Sequence, residues 1–148
     1  MLALCILLPA SVRALEPGER RLLLDAARPV AAKMAGQPVR IKVDRLNKDG
    51  DWAVLVGNLV GQPGKEIDWG LSDCHEELDK MLWVVMRRSG NAWRVKHIEI
   101  CASEPPYWYM EQYRGEEWPC GVFAGLDAGH GDMARECRKE RGMQLRKQ

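Results

Sequence analysis

Threonine is absent from these 148 residues, and serine occurs only at positions 11, 72, 89 and 103. Each serine has a simpler role as signal, cap or turn residue, so a serine or threonine hydrolase is disfavoured. No Gly-x-Gly-x-x-Gly, P-loop or Gly-x-Ser-x-Gly is present, which removes the usual nucleotide-binding and nucleophile-elbow signatures. No Cys-x-x-Cys occurs and no histidine stands at zinc-finger spacing, so no structural zinc site is expected. Charge of one sign is missing too: 22 basic against 21 acidic residues leave a formal +1. A dedicated nucleic-acid binder carries a broad basic excess, so nucleic acid is not an expected partner.

What remains is ordinary globular material, 46% hydrophobic and 29% charged, of a length that makes one domain. A chain of this size buries about two thirds of its unfolded surface and can build a core without metal. The one long apolar run, "MLALCILLPA", is too short to span a bilayer, which takes about 20 residues. With Val12 and Ala14 placed as a cleavage site requires, residues 1–14 read as a signal peptide; the competing reading is an N-terminal core helix. Export leaves Cys74, Cys101, Cys120 and Cys137, which as disulfides allow three connectivities. The expected setting is periplasmic or secreted, with no transmembrane segment in the mature chain.

After the signal, residues 15–126 read as a single α+β domain and 127–148 as a basic tail with a short helix. Leu23, Ala27, Val30 and Met34 recur at helical spacing, which predicts a long helix over residues 17–35 that Pro29 kinks or splits near 28. "VRIKVDRL" alternates as a half-buried strand, "NKDG" turns, and "DWAVLVGNLV" returns with apolar residues on both faces, as a central strand does. "LSDCHEELDKM" predicts a short capped helix. "MLWVVMRR" and "WRVKHIEI" flank a second hairpin turn. The parity of apolar positions slips between Val95 and Ile98, which predicts a β-bulge at Lys96–His97. Pairing Arg88 with Trp93 sets Cys101 opposite Lys80 and within reach of Cys74. Cys74–Cys101 is therefore the favoured bridge, leaving Cys120–Cys137 to pin the tail. The tail, from Met133, carries six basic residues against two glutamates, and its helix is expected to fray beyond Gly142.

A kinked helix followed by a four-stranded antiparallel meander resembles the cystatin-like and nuclear-transport-factor-like folds. The helix with "ARPVAA", then "VDRLNKDGDWAVL", "LWVVMRRSGNAWRVKHIEI" and "YWYMEQYRG", is similar to small exported proteins of Gram-negative bacteria. The resemblance spans residues 17–125. It implies a curved sheet packed on its leading helix and an exported setting, and it brings no catalytic residue with it.

The candidate chemistry is sparse. "DCHEELD" and "DAGHGD" gather Asp73, His75, Glu76, Glu77 and Asp79, and Asp127, His130 and Asp132, but neither spacing matches a metal signature, so no metal or cofactor is expected. His97, with Glu99 as polar partner, would serve as general base in a helix–sheet cavity, whereas a structural histidine on a strand is the simpler reading. The segment "EPPYWYMEQYRGEEWPC" holds all three tyrosines and two of six tryptophans. It reads as two helical turns closing over the sheet as a lid, with Trp108, Tyr109, Tyr113 and above all Trp118 offering the contact surface. The expected function is a non-catalytic exported binder of a protein or envelope component, of inhibitor or immunity type, acting as a monomer or weak dimer. The alternative is a small enzyme or ligand binder using His97.

Overall fold

The computed structural model describes residues 15–76, 78–103, 112–127, 129 and 131–148. The expected signal peptide, Glu77, the segment 104–111 with Trp108 and Tyr109, and His130 lie outside the described residues.

Helix α1 runs Pro17–Ala35 as one element with Pro29 inside it, rather than splitting near residue 28. Pro17 occupies the first turn, where its missing N–H leaves no bond unmade. Gly36 ends the helix in the left-handed conformation (φ 66°), with Gln37 N–H returning to Ala32 O at 3.2 Å. The buried face is Leu23, Ala27, Ala31 and Ala35, each fully buried. Of the four residues expected from the sequence, Leu23 and Ala27 lie on it, Val30 is half-buried and Met34 is exposed. Leu23 and three alanines thus recur every fourth residue on the face that meets the sheet, and the larger Val30 and Met34 lie beside that stripe.

Four strands follow: β1 Arg40–Asp49, β2 Trp52–Val60, β3 Met81–Ser89 and β4 Ala92–Ala102. They form one antiparallel sheet in the order β1-β2-β3-β4. Between β2 and β3, the stretch expected to hold a short helix forms no α-helix among its described residues, and the 3-10 turn Trp69–Leu71 ends on its first residue. Asp68 caps that turn through Gly70 N–H, and two hydrogen bonds between Gln37 and Asp68 tie the loop to the end of α1.

Both central strands are buried on both faces, because each face has its own cover. On the first, α1 packs against Ala53, Leu55, Leu82, Val84, Met86, Trp93 and Ile100. On the second, Val54, Val56, Trp83 and Val85 meet Trp118, Val122, Phe123, Leu126 and helix α2, Met133–Leu145. The result is a three-layer α+β arrangement in which the tail is part of the core. Helix α2 runs past Gly142 to Leu145, further than expected from its composition. Asp132 caps it by accepting from Arg135 N–H, and the Asp132 carboxyl is held below the usual carboxylate range chiefly by this and the Gly125 N–H bond.

Two disulfides close the structure: Cys74–Cys101 (Cα–Cα 6.0 Å) joins the β2–β3 loop to β4, and Cys120–Cys137 (5.6 Å) joins a 3-10 turn to α2. The pairing matches the one favoured from the strand register. Strand β1 holds the second cover directly. Asn47 Nδ2 donates to the carbonyls of Val122 and Ala124 at 2.9 and 2.7 Å, and Asp49 accepts from Gly121 N–H at 3.0 Å.

Candidate functional site

Strand β4 decides where its polar residues point. Met86 pairs with Val95 but Val85 pairs with His97, so Lys96 is the extra residue of a bulge, at the place the sequence parity indicated. Beyond it, Ile98 and Ile100 face α1 while His97 and Glu99 face the second cover. His97 therefore does not line the helix–sheet interface, which was the setting expected for it as a general base. The bulge reverses the parity and turns the ring to the opposite side of the sheet.

There His97 stacks on Tyr113 (centroids 4.2 Å apart, planes 15° apart) and lies 6.2 Å from the Trp118 ring. The Tyr113 hydroxyl donates to Glu99 Oε1. Burial, and then the neighbouring Lys96 charge, lower the His97 pKa from its ordinary 6.5, so the ring is neutral at pH 7. A neutral imidazole accepts a proton at an in-plane ring nitrogen, which stacking on Tyr113 does not block, while Glu99, on the same face of β4, already accepts from the tyrosine hydroxyl. The arrangement joins β4 to the segment before Trp118.

Of the aromatic segment, the described end closes over the sheet. Trp118 is only 2% exposed, which overturns its expected place on an exposed contact surface. It stacks on Trp52 and Phe123 at 6.1 and 5.9 Å and tilts against Trp83 at 6.5 Å. The cause is tertiary: the Cys120–Cys137 bridge and Arg141, which donates to the carbonyls of Glu116 and Trp118, draw this turn inward. Tyr113 is half-buried.

The acidic residues of the second stretch serve its loop and the following helix: Asp127 Oδ1 accepts from Gly129 N–H at 2.7 Å, while Asp132 caps α2. Among the described residues no group of three or more His, Cys, Asp and Glu is arranged to hold a metal ion.

Sequence reasoning passed over a cationic end of the sheet. The β3–β4 hairpin contains Arg87, Arg88, Arg94 and Lys96 and no acidic residue between 87 and 96. With Ser89 these four line a cavity of about 350 Å³. Arg88 lies on the first face, 5.0 Å from the Trp93 ring centre and 2.6 Å from Glu19, which also pairs with Lys48 at 3.0 Å. Arg87 lies on the second face over Trp52, 5.0 Å from its ring centre. The signal was visible as a local run of charge, which the near-zero net charge of the whole chain conceals.

Comparison with protein-family models, with curated proteins and with solved structures finds no match to this chain.

Proposed function

We propose that the chain is a non-catalytic, exported binding domain, periplasmic in setting, whose partner is a protein or a component of the cell envelope. The observation that carries this reading is the pair of disulfides, each joining parts of the chain far apart in sequence. Such bonds form and persist in oxidising compartments. Both faces of the sheet are spent on packing, so the sheet acts as a scaffold and recognition belongs to its edges and ends. A helix followed by a four-stranded meander supports a cystatin-like kinship, with the disulfide-held second cover as this chain's addition. An inhibitor or immunity-type role suits a small, doubly crosslinked domain.

The enzyme reading keeps one supporting feature, an imidazole of lowered pKa on the same strand face as Glu99. The stacking of His97 on Tyr113 and the engagement of Glu99 favour a structural role for both.

Two measurements test the proposal. Thiol counting by mass spectrometry on protein recovered from the periplasmic fraction is expected to find no free thiol at Cys74, Cys101, Cys120 or Cys137; four free thiols would refute export. Affinity capture from envelope extract with the oxidised protein is expected to recover a partner that Trp108→Ala with Tyr109→Ala depletes. Equal recovery by that variant would remove the aromatic segment as contact surface.

A further inference from the structure

Resting on the binding reading above, we infer that the end of the sheet at the β3–β4 hairpin is an anion-binding surface for phosphate groups, built from Arg87, Arg94 and Lys96 with Arg88 at its side. These residues line one cavity of about 350 Å³. Register places Arg87 directly opposite Arg94, and Lys96 follows two residues later as the extra residue of the bulge. Like charges directly opposite on a sheet repel and destabilise it. Among the described residues Arg87, Arg94 and Lys96 form no ion pair, whereas Lys48 and Arg88 share Glu19.

Edge protection does not account for the arrangement. Cations on an edge strand deter pairing with other chains, and that would explain Arg94 and Lys96 on β4. Arg87 and Arg88 stand on β3, a central strand, where no edge needs guarding. Instead, each guanidinium lies over a tryptophan ring, Arg87 over Trp52 and Arg88 over Trp93. A guanidinium over a ring keeps its N–H groups free at the rim, as Arg87 does, while Arg88 gives one of them to Glu19. Planar N–H forks beside an ammonium group are the donor set that phosphate oxygens accept from, singly or bidentately. The shared ligand chemistry is the phosphate group, carried as an ester by a lipid head group or as a free phosphate anion.

The test uses the full oxidised chain. Co-sedimentation is measured with phosphatidylcholine vesicles containing or lacking phosphatidylglycerol, and inorganic pyrophosphate is titrated in parallel by calorimetry. Binding to the phosphatidylglycerol vesicles or to pyrophosphate is expected, and Arg94→Glu with Lys96→Glu is expected to weaken it about tenfold or more. A charge-matched tail variant, Arg138→Glu with Lys139→Glu, is expected to bind as the parent does. Vesicle binding without pyrophosphate binding assigns the lipid head group, and the reverse assigns a free phosphate. Equal binding by the hairpin variant and the parent overturns the proposal, as does equal weakening by the tail variant, which would make net charge the cause. Should neither probe bind while envelope capture still recovers a partner, the anion surface falls and the binding reading stands. Thermal melting of the hairpin variant, expected to match or exceed the parent because the Arg87–Arg94 repulsion is relieved, checks that lost binding is not lost fold.

Discussion

Trp118 shows what one residue contributes here. Its ring fills the space between Trp52, Trp83, His97 and Phe123, and truncation would leave that space without partner atoms. Trp118→Ala should therefore destabilise the protein by about 3–5 kcal/mol in urea unfolding, an effect on fold and not on a contact surface. Tyr113→Phe removes the hydroxyl that donates to Glu99, and a smaller loss of about 1–2 kcal/mol is expected. His97 gives the residue scale a pH dependence. Its pKa is lowered in the folded chain, so as pH falls through 6.5 the unfolded chain takes up a proton before the folded one does. The His97 contribution is neutral well above that pH, turns unfavourable as pH drops toward the folded value, and stays constant below it. The neighbouring Lys96 charge contributes to the shift, while the Tyr113 and Trp118 rings stack against the imidazole. Following the His97 ring protons by NMR should place the midpoint below 6.5, and Lys96→Met should move it upward.

At the scale of elements, strands were the most legible part of the sequence and the polar segments the least. Alternation in "VRIKVDRL" and the two-faced apolar run in β2 follow from side chains pointing to opposite faces at every step. The same period exposed the Lys96 bulge, because one inserted residue exchanges every later side chain between faces. Helix α1 was legible as a helix, but its buried stripe was not, since Leu22, Val30 and Met34 compete with alanines at the same period and the helix's rotation against the sheet, a tertiary matter, chooses between them. "LSDCHEELDKM" had capping residues yet formed no α-helix among its described residues, because Cys74 is held by Cys101 and Lys80 Nζ donates to the carbonyls of His75 and Leu78. Gly57 marks a place where strands leave no room. A Cβ there would lie 2.1 Å from the Lys42 carbonyl oxygen, next to the β1 irregularity at Val43–Arg45. Gly57→Ala is expected to destabilise the protein markedly, read as a lowered urea midpoint, whereas Gly18→Ala, with open space around it, should not.

For the whole molecule, the two disulfides act on different layers. The chain-entropy relation assigns about 3 kcal/mol to the Cys120–Cys137 crosslink and about 3.5 kcal/mol to Cys74–Cys101, whose loop is longer. Replacing Cys120 and Cys137 by serine should loosen the second cover first. Hydrogen exchange would then rise in α2 and around Trp118, while α1 and its face of β2 and β3 stay protected. Uniform loss of protection would mean that the two covers unfold as one unit. The basic hairpin and the acidic stretches also balance at this scale, which is why a chain of formal charge +1 can carry a local cationic surface.

By itself, the sequence determined the α+β class, the four-strand meander and the bulge, and it favoured the cysteine pairing that the structure holds. These depend on side-chain period, turn residues and register, all of which are local or propagate from one hairpin. Tertiary structure alone decided that Trp118 is buried and that His97 lies under the second cover and not against α1. Each of these depends on which layer covers which face, and that is set by contacts between segments far apart in the chain.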